Sequence, residues 1–408
     1  MQTDGPDRPV HVMCVFLEAP SGDSVMAVRW RRLSGFVCGM GEARVVVARG
    51  ISDDQAAALA AELGGPVHSL GTAKQSRWSA FWKALFTPWS SWPPARTDVS
   101  AARRRMTELL AGADPDIIWC AGAEAFLAVP KRLQDRAIVD YSDLPSRNRR
   151  ELARVAAHRI GRRVSHAGGV DASVFGLARE VQGGISSRWV ERYVGRRAKG
   201  VTVASPTEVR SGARCVRTGA DDPGIVRAPD DEFPVPHFVF PGSFLYPPHQ
   251  DAAEWFALYV LPPLRELLPV CRVVLAGPYP AWMPSFAHLH GMEISGPLHD
   301  VGEVLDSRSV VIAPIRAGSG TIVEVIEAWA RGVPVVASTR AVEGLEPTDG
   351  VDVLVADDPA EFAARCSMAA RYPDLRATLA GNGRARYEAE FTWPVIGADL
   401  VSWLRSIY

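Results

Sequence analysis

Lysine is nearly absent from this chain. Only Lys74, Lys83, Lys131 and Lys199 stand among 45 basic residues, and arginine supplies the rest; we read this as high-GC coding bias rather than function. An excess of charge is missing too. The 45 basic and 46 acidic residues leave a net charge of −1, so no overall field draws the protein to nucleic acid or an anionic membrane, and any anion site must be local. The six cysteines (Cys14, Cys38, Cys120, Cys215, Cys271, Cys366) contain no CxxC pair. That excludes a disulfide framework or zinc knuckle as the organising feature and fits a reducing cytoplasm. Nine histidines include no i, i+4 pair, so the helical zinc pattern is also lacking. The first apolar run, VHVMCVFL (10–17), follows the polar MQTDGPDRP without a basic flank and falls short of the ~20 residues a membrane span needs. The expectation is a cytoplasmic protein with no export signal. Repeats of short period and low-complexity segments are absent as well.

What is present is alternation. At 408 residues and 47% hydrophobic content, the chain can bury two cores of ordinary size. Short β-branched runs, each followed by a loop and a helical pattern, occur at 10–17, 43–50, 116–122, 136–143 and 201–205. The rhythm resumes after residue 236 with HFVFPGS, CRVVLAG, MEIS, SVVIAPI, VPVVAS and DVLVAD. Such runs mark buried parallel strands. A Pro, Gly and Asp cluster, GADDPGIVRAPDDEFPVP (219–236), reads as the connection between the two sets. The expected fold is α/β, with two Rossmann-like parallel-sheet domains facing across a cleft. Its boundaries are 1–222, a linker 223–236, 237–391, and a final helix 392–408.

The most informative stretch is APIRAGSGTIVEVIEAWARGVPVVAS (313–338). SVVIAPI is a strand, and the glycines of GSG (318–320) permit a sharp turn. Ile322, Val325, Ile326, Trp329 and Ala330 recur at helical spacing. Gly332 and Pro334 then end the helix. A helix N-terminus after such a loop presents backbone N–H groups and a positive dipole end, where a phosphate can sit. Glu327 lies off the apolar stripe and could accept hydrogen bonds from ligand hydroxyls. The same residues also suit plain close packing and a solvated glutamate.

This stretch resembles the GGGTRLKxLEAMAxGxPVV segment of GT-B glycosyltransferases of family 4, in the subgroup found in bacterial polysaccharide and natural-product clusters. Further matches keep order and spacing: FPGSFLYPPHQDAAEWF (240–256) is similar to FVGSLxYPPNVDAxxWF, GPLHDV (296–301) to GFVPDV, AVEGL (341–345) to GAEGL, and ADDPAEFA (356–363) to ADxPxxFA. FTW (391–393) matches the signal that opens the last helix, which in GT-B proteins returns to the first domain. The resemblance implies a donor-binding second domain and a more loosely matching acceptor-binding first domain. It places Glu327 on the donor's ribose as the second Glu of the E-x7-E motif, with Ser319 in place of the first. Gly318, Ser319, Gly320 and Thr321 would cradle the diphosphate or sugar, Gly242 and Ser243 would face the same cleft, and Gly296 to Val301 would flank the base. In the first domain APSGDS (19–24) resembles the PxxGG loop, which puts Gly22 near the acceptor, with Arg29 at the following helix. DYSDLPS (140–146) is similar to the D-x-x-D segment, which implies a cleft position for Asp143; a capping role suits Asp143 equally.

Two departures change the expected chemistry. Ile322 and Glu324 replace the subgroup's Arg and Lys, and a helix dipole, worth about 0.3–1 kcal/mol, does not replace charge-assisted bonds of about 1.5–3 kcal/mol each. Arg316 is the nearest substitute and is assigned, with Ser319, to catalysis as stabiliser of the leaving diphosphate. The fourth strand carries Trp119-Cys120 where many relatives have a His. Asp114-Pro115-Asp116 precedes its strand and reads as turn chemistry, so no metal is expected, and no cofactor beyond the nucleoside diphosphate sugar. RWSAFWKALFTPWSSW (77–92) holds four tryptophans. Trp89 and Trp92 are candidates to meet an apolar small-molecule or lipid-linked acceptor, or a membrane surface, and a packed helix accounts for them equally well. The resulting expectation is a retaining glycosyltransferase of natural-product or cell-surface glycan biosynthesis. The competing readings are a GT-B protein that binds nucleotide or a partner without turnover, and a sugar-nucleotide epimerase or hydrolase.

Overall fold

The β-branched runs form parallel strands in the computed structural model, which describes residues 10–22, 24–72, 99–110, 114–162, 174–210, 212–224, 235–306 and 308–408. The chain divides into two compact units. One comprises Met1–Ser146, Gln182–Thr218 and Pro394–Tyr408; the other comprises Arg147–Val181 and Gly219–Trp393.

The first unit holds a seven-stranded sheet of β1 (His11–Phe16), β2 (Glu42–Arg49), β3 (Val67–Thr72), β4 (Ile117–Ala121), β5 (Ala137–Tyr141), β6 (Gly200–Val203) and β7 (Ala213–Cys215). The order is β3-β2-β1-β4-β5-β6-β7, and every pairing is parallel. β4 and β5 are buried along their whole length, which is why they read as apolar runs, interrupted only by Asp140. Trp119 and Cys120 are among these core residues. The edge strands β3 and β7 were not expected from the sequence, because VHSLGT and ARC carry no β-branched run.

The second unit holds β8 (His237–Pro241), β9 (Arg272–Ala276), β10 (Glu293–Gly296), β11 (Ser309–Ala313), β12 (Val335–Ala337) and β13 (Leu354–Val355). The order is β10-β9-β8-β11-β12-β13, again all parallel. Trp329, Phe256, Phe362 and Phe391 fill its core. After β8 the Pro247–Trp255 helix widens into a π-helical turn, Phe256–Val260, before Leu261–Leu267. Pro262 and Pro263 lack the N–H groups an α-helical ladder needs there, and the wider turn accommodates the loss. Residues of the 147–181 segment join this unit through defined contacts: Arg147 donates to Glu343 at 2.5 Å, and the Tyr246 hydroxyl to Asn148 at 3.1 Å.

Candidate functional site

The second sheet reverses its winding at β8, whose neighbours are β9 on one side and β11 on the other. In open parallel sheets the crevice at such a reversal, beyond the carboxyl ends of the strands, is where ligands bind. Two loops build it here. After β8, Gly242 adopts φ 145°, and a Cβ on Gly277 would lie 2.1 Å from the Gly242 carbonyl oxygen, so the loops after β8 and β9 touch backbone to backbone. The Gly242 N–H donates to Ala276 at 2.9 Å. After β11, Gly318 and Gly320 turn the chain with φ 121° and 81°, and the Arg340 guanidinium donates to the Gly318 carbonyl. The Val323–Ala330 helix follows. Its cap position is Ile322, which offers no side-chain acceptor to the first N–H groups.

Carboxylates crowd this helix. Glu327, half-buried, has its pKa raised to about 7, first by burial and then by the neighbouring charge of Glu324. Burial also pushes Glu324 up. His249, on the Pro247–Trp255 helix, has a side chain 8% exposed and a pKa lowered by burial to about 4. Its Nε2 faces the Glu324 Oε1 at 3.7 Å. The site's arginines are engaged. Arg316 donates to Asp251 at 2.7 Å and lies 5.5 Å over the Trp255 ring, so its charge is shared with a buried carboxylate. Arg331 donates to Asp300 at 2.5 Å and to the Glu327 carbonyl oxygen at 3.1 Å.

The structure thus brings Gly242, Ser243, Gly318, Ser319, Gly320, Thr321, Glu327 and Arg316 to one end of the second sheet, on the β8 and β11 loops and the helix after β11. Gly296 ends β10 with φ 81°. Val301 opens a short 3₁₀ turn capped by Asp300, which the Arg331 contact ties to the same helix. Gly22 and Asp143 belong to the first unit; Gly22 has φ 80°, and its carbonyl accepts from Arg31 at 2.7 Å. Arg29 is not at a surface. It is fully buried and bidentate on Asp140 at 2.7 and 3.1 Å, with Thr218 and the Arg217 carbonyl completing its bonds. Trp89 and Trp92 lie outside the described residues. Asp251, Asp300 and Arg331 were missed as charge partners. Their only sequence signal was a place inside or beside matched motifs. Among the described residues no group of three or more metal-ligating side chains occurs, and no helix is long and apolar enough to cross a membrane.

Residues 235–390 match the sequence profile of the family Glycosyl transferases group 1, and this segment includes every site element of the second unit named above. At the level of sequence alone the chain has no match among curated proteins. Solved structures share its fold. Sucrose-phosphate synthase from Thermosynechococcus elongatus aligns with a TM-score of 0.63 at 14% identity, covering 98% of this chain and 99% of that one. Anabaena HepE in complex with UDP and glucose gives 0.62 at 14% identity, covering 97% and 100%. A glycosyltransferase from Rickettsia africae gives 0.60 at 11%, covering 98% and 99%. The two parallel-sheet domains are those of the GT-B glycosyltransferase fold.

Proposed function

We propose that this GT-B protein, whose second sheet domain carries the group 1 glycosyltransferase profile, transfers a sugar from a nucleoside diphosphate sugar to an acceptor. The observation that carries the reading is the convergence of the Gly318–Gly320 loop, the uncapped start of the Val323–Ala330 helix and Glu327 at the β8/β11 reversal. Backbone N–H groups there can receive a diphosphate, and Glu327 stands one turn further along to accept ribose hydroxyls. Anabaena HepE, of the same fold, is known in complex with UDP-glucose, which supports a nucleotide-sugar donor.

The finer reading is a family 4 enzyme of the GGGT subgroup that retains configuration without a protein nucleophile or metal. It would work on the cytoplasmic side on an apolar or lipid-linked acceptor in glycan or natural-product biosynthesis, and would not bind nucleic acid. Arg316, Ser319 and the loop N–H groups then stabilise the leaving diphosphate. A second reading, nucleotide binding without turnover, is favoured by one observation: Arg316 and Arg331 are both engaged by carboxylates, and the Glu324 carboxylate lies beside Gly242.

Incubation with a panel of labelled sugar nucleotides separates the readings. Transfer to an acceptor supports the first, binding without chemistry the second, and release or isomerisation without acceptor an epimerase or hydrolase. In the same panel Glu327→Gln is expected to weaken donor affinity with the fold intact. Unchanged affinity removes Glu327 from the site.

A further inference from the structure

The helix Val174–Arg197 is apolar on two sides. On the inner side Val194 is buried, Val190 and Tyr193 pack against the core of the first unit, and the Tyr193 hydroxyl donates to Gln134 at 3.0 Å. That side holds the helix in place. On the outer side Val181, Ile185 and Trp189 are 50, 55 and 49% exposed. Spaced by four residues, they form a row along one face. A contiguous apolar row, unlike scattered exposed residues, marks an interaction surface.

Charge decides what fits this row. Arg188, Arg192 and Arg196 are exposed beside it at the same four-residue spacing, and Arg192 lies 5.6 Å over the Trp189 ring. These three arginines have no carboxylate partner among the described residues. The helix contains two carboxylates, and both turn away from the outer face. Glu180 accepts from Arg149 at 2.7 Å, and Glu191 from the Ser146 N–H and hydroxyl at 2.8 Å each. The outer face is therefore cationic and apolar without an acid, although the chain as a whole carries a net charge of −1. A second copy fits poorly, because a two-fold contact sets this face against itself and brings arginine to arginine. The row is one side chain wide, which is narrow for the apolar core of a protein interface. A bilayer surface takes this combination: apolar side chains at the boundary of headgroups and acyl chains, an indole in the interface, and guanidinium groups among the phosphates.

We propose that the outer face of the Val174–Arg197 helix docks on an anionic bilayer surface. Ile185 and Trp189 enter the headgroup boundary, and Arg188, Arg192 and Arg196 meet lipid phosphates. This contact goes beyond the sugar-transfer reading and does not depend on it.

Sedimentation of the full chain with vesicles of phosphatidylcholine alone, or of phosphatidylcholine and phosphatidylglycerol in equal parts, tests this. Wild type is expected to bind the mixed vesicles at low salt, to leave them at molar salt, and to ignore phosphatidylcholine alone. An arginine near such a surface contributes about fivefold in affinity, so Arg188→Gln, Arg192→Gln and Arg196→Gln together should weaken binding about a hundredfold. Ile185→Ser with Trp189→Ser should lose binding with the arginines in place. All five positions are exposed, so both variants should keep the wild-type melting transition. In wild type, hydrogen exchange along 182–197 should slow when mixed vesicles are added, a result that decides the matter even where a variant fails to fold. No binding to mixed vesicles at low salt, equal binding to both kinds of vesicle, folded variants that bind as wild type does, or exchange that slows only elsewhere overturns the proposal. A wild-type dimer that the Ile185→Ser, Trp189→Ser variant loses would give the face to a second copy and overturn it too. Release from the vesicles by polyglutamate at equal charge would give the face to an acidic protein, with the same consequence. The donor reading stands in every case.

Discussion

His249 is kept neutral by burial, and the consequence for stability can be measured. Its pKa is lowered from 6.5 to about 4. The unfolded chain therefore takes up a proton near pH 6.5 that the folded protein refuses until about pH 4, so the contribution is fully present above 6.5 and lost as pH falls toward 4. A shift of that size corresponds to about 3 kcal/mol. Glu327 acts in the opposite sense: raised to about 7, its ionisation opposes folding at neutral pH and ceases to do so as the pH falls. The two effects overlap, so a difference must be read. The unfolding free energy of wild type minus that of His249→Asn is expected to shrink by about 3 kcal/mol from pH 7 to 4, measured by denaturant titration. Parallel pH profiles would show that the ring is not held neutral. Arg316 needs similar care. Removing it strips the buried Asp251 of its partner, so any loss of turnover in Arg316→Ala must be compared with Asp251→Asn before it is assigned to the leaving group.

Among the elements, the loops after β8 and β9 are the least tolerant. Gly277 has φ 139°, and its missing Cβ would meet the backbone oxygen of Gly242, an atom that cannot rotate away. Gly277→Ala is expected to cost about 2 kcal/mol or more through strain and overpacking and to weaken donor binding by displacing Gly242. Gly381 is the control. It lies inside the Pro373–Glu390 helix with open space where a Cβ would go, so Gly381→Ala should stabilise by about 0.5–1 kcal/mol and leave binding alone. Denaturant titration with calorimetry on both variants decides. Equal stability of the two would mean that the loop contact does not constrain the site. The Trp329 indole joins elements in the same unit, donating to the Asp352 carbonyl at 3.0 Å and packing on Phe391. Gly383 leaves it room.

The molecule as a whole holds two units with separate sheets. The elements of the proposed donor site lie in the unit built from Arg147–Val181 and Gly219–Trp393. A ligand that binds only the folded state stabilises by mass action, about 2.7 kcal/mol at a concentration 100 times its Kd. A sugar nucleotide that binds should therefore raise the calorimetric transition of that unit. If two transitions are resolved, the one that moves should be the one monitored by hydrogen exchange in β8 and β11. A shift confined to β1 and β4 would place the nucleotide in the other unit and defeat the site assignment.

Much of this architecture was legible along the chain. Strands buried along most of their length must be largely apolar, so β1, β2, β4, β5, β6, β8, β9, β11 and β12 announced themselves as β-branched runs; the short runs at β10 and β13 were legible too, and GSG followed by an amphipathic helix marked the turn after β11. β3 and β7 escaped because edge strands can be short and polar. The place of Glu327, off the apolar stripe of the helix after β11, was legible because helical spacing is local. The facing of His249 and Glu324, the capture of Arg316 by Asp251 and of Arg331 by Asp300, and the burial of Arg29 on Asp140 had no such signal. Each joins residues from different elements, and strand order decides which elements meet: β8 lies beside β11 although β9 and β10 intervene in sequence. Periodicity is set by neighbours along the chain, whereas charge pairing and protonation are set by neighbours in space. The sequence therefore determined the fold class and the place of the glycine loop with its helix, and only the tertiary structure decided the electrostatics around them.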